Sequence, residues 1–128
     1  MALLHDWAET RVGDMRRTAG NYFGAEPRKA AETAAFGDIV SGAGAAESEY
    51  KSLFLDYEQR HSLEAKLVKA ADVLDLLIQA YALERTGAKG LDEFWEVAHD
   101  ADFQLPAIAN ELVGELLQSI LNLRSKLE

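Results

Sequence analysis

The stretch from Ser62 to Thr86, SLEAKLVKAADVLDLLIQAYALERT, constrains the fold more than any other part of the chain. Leu63, Leu67, Ala70, Leu74, Leu77 and Tyr81 recur along one stripe at helical spacing, and Val68, Ala71, Val73, Leu76, Ile78 and Ala80 fill most of the remaining surface. A helix that is apolar nearly all round belongs at the centre of a bundle. Ser62 is a natural N-cap, although Ala65 occupies the position where a capping box would carry an acid. Gly87 stands where a left-handed C-cap residue belongs.

The other segments suit such a bundle. Ala2 to Thr10 reads as a helix ending near Gly13, and Pro27 serves as the first residue of a helix running to Val40. Ser41 to Ala46 is a loop. Glu47 to Arg60 forms a helix with Tyr50, Phe54 and Tyr57 on one face. A short helix from Leu91 to Ala98 and a closing helix from Pro106 to Leu127 complete an all-α helical bundle around a central buried helix, expected as one domain over residues 1–128. At this length a chain buries roughly two-thirds of its unfolded surface, so a core forms without staples.

Composition narrows the functions. There are no cysteines, which removes disulfides, thiolate metal sites and cysteine nucleophiles and suits a cytoplasmic setting. No stretch approaches the ~20 consecutive apolar residues of a membrane span. The formal charge of −9, from 22 acidic against 13 basic residues, repels polynucleotides and anionic lipid surfaces. Arg16 and Arg17, with Arg11 nearby, are too few for a nucleic-acid track but enough to hold one small phosphorylated ligand.

Titratable chemistry gathers near the start, in LLHDWAETRVGD. His5 and Glu9 are four apart and Asp6 and Glu9 three apart, so a helix would align them along one edge. An imidazole nitrogen beside a carboxylate oxygen suits an N/O site for Mn, Co, Fe, Zn or Mg. Glu9, one turn on, has the place of a general base, and Gly13 allows a turn that returns Asp14 toward the same pocket. The plainer alternative is a solvated helix end. The second focus is Asp72, set among Val68, Ala71, Val73 and Leu76, where an unpaired carboxylate would be costly. Asp75 and Gln79 continue a polar seam whose partner is either the His5–Asp6 pair or, more plainly, Lys69 or Lys66.

These residues resemble a family. LLHDWAETRVGD, followed by LVKAADVLDLLIQAYALERTGAKGLDEFWE, looks like the HD-domain metal-dependent phosphohydrolases, and within them the 5'-deoxynucleotidase-like group. The resemblance extends from Leu3 to about Trp95. It implies that one divalent metal ion is held by His5 and Asp6 as the HD ligands and by Asp72 as the distant one. It further implies acid/base and water- or leaving-group-handling roles for Glu9 and Asp14, an aromatic-acid pair at Tyr57 and Glu58, and a homodimer or higher homo-oligomer. Two departures stand out. Val73 replaces the lysine usual after the distant aspartate, and the family's first metal histidine lies upstream of the HD pair. The chain therefore resembles a member lacking its first one or two helices, with water, His61, His99 or a second chain as the candidate fourth donor. By position His61 reads as a solvated turn residue and His99 as a surface loop residue.

The expected activity is removal of phosphate from (deoxy)nucleoside 5'-monophosphates, with Arg16 or Arg17 on the phosphate. Two alternatives use the same residues. DWAE and DVLD supply acidic pairs on two helices, as a Mg-dependent all-α nucleotide pyrophosphohydrolase would need. A non-catalytic oligomeric HD-like module is the other.

Overall fold

Glycines, one proline and a serine cap divide the chain into helices, and the computed structural model follows most of those marks. It describes residues 1–99 and 101–127, with Arg17 described in its backbone only. Among the described residues there are α-helices and short 3-10 turns and no strands, so the chain is all-α. Contacts divide it into two compact units, Met1–Ala65 and Lys66–Glu128.

In the first unit, α1 is Glu9–Val12, α2 Gly20–Phe23, α3 Ala25–Val40 and α4 Glu47–Gln59. The expected helix from Ala2 to Thr10 is α-helical only from Glu9. Before that the chain advances in three-residue turns, with Leu4, Trp7 and Glu9 amides bonded to the Met1, Leu4 and Asp6 carbonyls at 2.8, 3.1 and 3.0 Å. Side chains supply the reason. His5 Nδ1 lies 2.6 Å from the Ala2 carbonyl and the Thr10 hydroxyl donates to the Trp7 carbonyl at 2.7 Å, engaging acceptors that an α-helix would give to backbone amides. Helix α3 starts two residues before Pro27, which still falls in the first turn, where amides have no intrahelical acceptor. The core of this unit is Leu4, Ala8, Ala35, Phe36, Val40 and Phe54. Phe36 of α3 stacks on Phe54 of α4 at 4.2 Å, and Trp7 approaches Phe36 and Tyr50 at 6.4 Å each.

The boundary between the units falls within α5, Leu63–Arg85. Ser62 caps that helix as its sequence suggested, its hydroxyl accepting from the Ala65 amide at 3.1 Å. The second unit adds α6, Asp92–His99, and α7, Ala107–Arg124. Its core joins Ala70, Val73, Leu77 and Ala80 of α5 to Trp95, Phe103 and Ile120. The cover on α5 is one-sided, because Leu63, Leu67, Ile78 and Leu83 remain 41–53% exposed. Ile108, Leu112, Leu116 and Leu123 of α7, with Leu127 just beyond it, form a second exposed apolar ridge.

Inside this second unit a polar knot closes over the core. The Trp95 indole N–H and the Arg124 guanidinium both donate to Glu84, at 3.0–3.1 Å, and Arg124 also reaches Asp92 at 2.6 Å. The guanidinium carbon lies 4.6 Å from the Trp95 ring centroid, a cation–π distance.

Candidate functional site

Burial of Leu4 and Ala8 decides where the neighbouring polar residues go. These two residues, four apart, face the α3–α4 core, so His5 and Glu9, one position further round, lie half-buried along its edge while Asp6 is exposed. Tyr57 of α4 holds the imidazole edge-on, with ring centroids 4.9 Å apart and an interplanar angle of 63°. The structure thus seats His5 against the aromatic residue of the Tyr57–Glu58 pair.

The imidazole is oriented at both nitrogens. In the neutral ring, Nδ1 donates to the Ala2 carbonyl, which leaves Nε2, screened from solvent, as an acceptor 3.1 Å from Asp6 Oδ1. Two acceptors facing one another need a proton or a cation between them. For a divalent ion with N and O ligands at about 2.0–2.2 Å and a right angle between them, the donor atoms stand about 3 Å apart. The pair therefore has the chemistry and spacing of two adjacent ligands. A carbonyl behind the ligating histidine is also the usual device for fixing its tautomer.

Glu9 follows on α1. Burial pushes its carboxyl above the ordinary carboxylate range, the charges of Asp6, Asp14 and Glu32 push the same way, and Arg28 opposes them. The chain then turns at Gly13, whose φ of 79° and ψ of 152° belong to a region essentially reserved for glycine. Asp14 follows in the exposed loop, near enough to act on the Glu9 charge. Arg16 is exposed, and the Arg17 side chain lies outside the described residues.

Asp72 has a different setting from the one its apolar sequence neighbours suggested. It is one-third exposed and accepts from Lys69 Nζ at 2.7 Å. Helical geometry explains this: Ala70, Val73 and Leu77 take the buried face of α5, and Asp72 falls at its rim. Asp75 and Gln79 are exposed. Among the described residues no group of three or more His, Asp or Glu is gathered closely enough to hold a metal ion. His61 is exposed after α4, as expected, whereas His99 is the exposed last residue of α6 rather than part of a loop.

One constellation escaped the sequence. Arg28 of α3 donates from Nε to Glu32 at 2.6 Å and from Nη1 to the Met15 carbonyl at 3.3 Å. The i, i+4 spacing of Arg28 and Glu32 was visible, but only the fold shows that the pair faces the Gly13–Arg16 loop. Elsewhere in this unit, an apolar cavity of about 240 Å³ between α3 and α4 is lined by Thr33, Phe36, Gly37, Lys51, Phe54 and Leu55 and by none of the candidate site residues. No helix among the described residues is long and apolar enough to cross a membrane.

Known proteins are similar to this chain in sequence and in fold. The chain is 34% identical over 110 residues to the 5'-deoxynucleotidase HDDC2 of Danio rerio, covering 84% of this chain and 54% of that protein. It is 33% identical over 101 residues to the 5'-deoxynucleotidase hdd1 of Schizosaccharomyces pombe, covering 73% of this chain and 50% of that one. The chain thus spans about half the length of these relatives. A solved structure, a conserved hypothetical protein from Pyrococcus furiosus, superposes with a TM-score of 0.72 at 33% identity, over 94% of this chain and 62% of the other. The HD domain family model matches residues 1–107, and the chain belongs to the HD domain family.

Proposed function

We propose that the chain forms part of a metal-dependent phosphohydrolase that releases phosphate from (deoxy)nucleoside 5'-monophosphates. The observation that carries this proposal is the convergence of His5 Nε2 and Asp6 Oδ1 at 3.1 Å, with the partly buried Glu9 one turn further on. The names of the two 5'-deoxynucleotidase relatives support the choice of substrate class. His5 and Asp6 would hold a divalent cation (Mn, Co, Mg, Fe or Zn), with Asp72 as the distant ligand. When bound, such an ion supplies Lewis acidity toward a phosphoryl oxygen and toward water.

The chain's own residues handle the rest. Glu9, whose carboxyl is raised by burial and by the neighbouring carboxylates, accepts a proton from the attacking water. Asp14 manages the proton delivered to the 5'-oxygen as the phosphorus–oxygen bond breaks. Arg16 or Arg17 receives the phosphate. The absence of cysteine supports a cytoplasmic setting, and the exposed apolar ridges on α5 and α7 support assembly as a homodimer or higher homo-oligomer.

The test is phosphate release by the 128-residue chain from deoxynucleoside and ribonucleoside monophosphates with Mn, Co or Mg, beside His5→Ala and Asp72→Ala. Metal-dependent release that both substitutions abolish is the expected result. Release of pyrophosphate from triphosphates would instead select the pyrophosphohydrolase. No turnover with any metal would leave the non-catalytic module.

A further inference from the structure

Arg28 is a cation that faces the carboxylates of Glu9, Asp14 and Glu32. It is not an ordinary surface arginine. Its side chain is 32% exposed and that of Glu32 only 12%, so their 2.6 Å contact is largely shielded from solvent. With Nε fixed by Glu32, the planar guanidinium has its remaining nitrogens set in direction, and Nη1 reaches the Met15 carbonyl thirteen residues earlier in the chain.

The segment it reaches also bonds at its ends: the Gly13 amide donates to the Glu9 carbonyl at 2.8 Å, and the Arg16 carbonyl accepts from the Ala19 amide at 2.9 Å. From Gly13 to Arg16 the chain has no regular secondary structure, lying between the end of α1 and the 3-10 turn at Arg17–Ala19. Gly13 and Asp14 are exposed, and Met15 is only half-buried. Such a segment opens easily unless something ties it down. The Arg28 bridge joins it to α3, whose Ala35 and Phe36 are buried in the core of the same unit.

We infer that Arg28 is a positioning residue: held by Glu32, it ties the Met15 carbonyl to α3 and so keeps Asp14 beside Glu9. Its consequence for turnover rests on the phosphohydrolase proposed above, but the tie itself does not. A loose loop would leave the carboxylates intact and lower the share of molecules in which Asp14 is in place. The loss would therefore fall on kcat, with KM nearly unchanged.

The experiment pairs amide hydrogen exchange with steady-state kinetics on the full chain, using Arg28→Gln and Arg28→Lys. Lysine keeps the charge but not the planar fork that spans Glu32 and Met15. In both variants exchange at the Gly13 and Ala19 amides, which bond the Glu9 and Arg16 carbonyls, should rise about tenfold while α4 is unchanged, and kcat should fall about tenfold with KM within about twofold. Unaltered exchange in the loop, or full protection by lysine, would overturn the inference. So would an active parent chain whose variants lose affinity and keep kcat. A parent chain inactive with every metal would instead count against the phosphohydrolase, and the exchange result alone would then decide the role of Arg28.

Discussion

Asp56 accepts two hydrogen bonds from Ser62, one from its backbone amide at 2.9 Å and one from its hydroxyl at 2.6 Å. The same hydroxyl accepts from the Ala65 amide, so the end of α4 and the start of α5 share one polar relay. Ser62→Ala removes both the cap and a donor to Asp56. It should cost about 1 kcal/mol, read as a lowered denaturation midpoint. An unchanged midpoint would mean that water caps α5 equally well.

The relay also has a pH signature. The hydrogen bonds from Ser62 hold the Asp56 carboxyl below its ordinary value. Because the folded-state pKa is depressed, this stabilisation is present above the ordinary aspartate value and is lost as pH falls through the folded one. Asp56→Asn should flatten the acid limb of the stability profile. Parallel profiles for parent and variant would contradict it.

Glu9 titrates in the opposite sense. Burial and neighbouring carboxylates raise its folded pKa, so the folded state binds more protons than the unfolded one between the ordinary and raised values, and stability falls as pH rises through that window. Glu9→Gln should therefore be more stable than the parent at neutral pH, measured by urea denaturation, while phosphate release is abolished. A variant less stable than the parent would show that the Glu9 charge is better compensated than its surroundings indicate.

At Gly13 the requirement is backbone freedom, since a Cβ added there meets nothing within 4 Å. Gly13→Ala should cost about 1–3 kcal/mol through its φ of 79°. A loss within error on chemical denaturation would show that the turn relaxes to accept alanine.

Glu84 carries the corresponding burden in the second unit. Glu84→Ala leaves the Trp95 indole and the Arg124 guanidinium without their shared acceptor and should cost about 2 kcal/mol, with a reduced near-ultraviolet Trp signal. Retention of both stability and signal would mean that Asp92 and water replace it.

The helices from Glu47 onward were legible from the Tyr50, Phe54 and Tyr57 face, the Ser62 cap, and Pro106 before α7. The opening segment was less so. Periodicity reports which face is apolar, and Leu4 and Ala8 do face the core, but it does not weigh a histidine or threonine that takes a carbonyl from the helix. Nor was the short α2 anticipated, because exposed Tyr22 and Phe23 give it no apolar stripe to read. The His5–Asp6 contact was foreseeable from adjacency, and the Lys69–Asp72 pair from spacing. The Arg28 tie to Met15 was not, because it depends on a turn that no local pattern specifies.

The ridge of Ile108, Leu112, Leu116, Leu123 and Leu127 along and just beyond α7 gives the molecule two opposing solubility tendencies. At low ionic strength the charge of −9 keeps copies apart. Concentrated sulfate screens that charge and strengthens apolar burial at the same time. The chain should then adsorb to a phenyl matrix in high salt and elute as the salt falls, behaviour that its acidic composition by itself would not suggest.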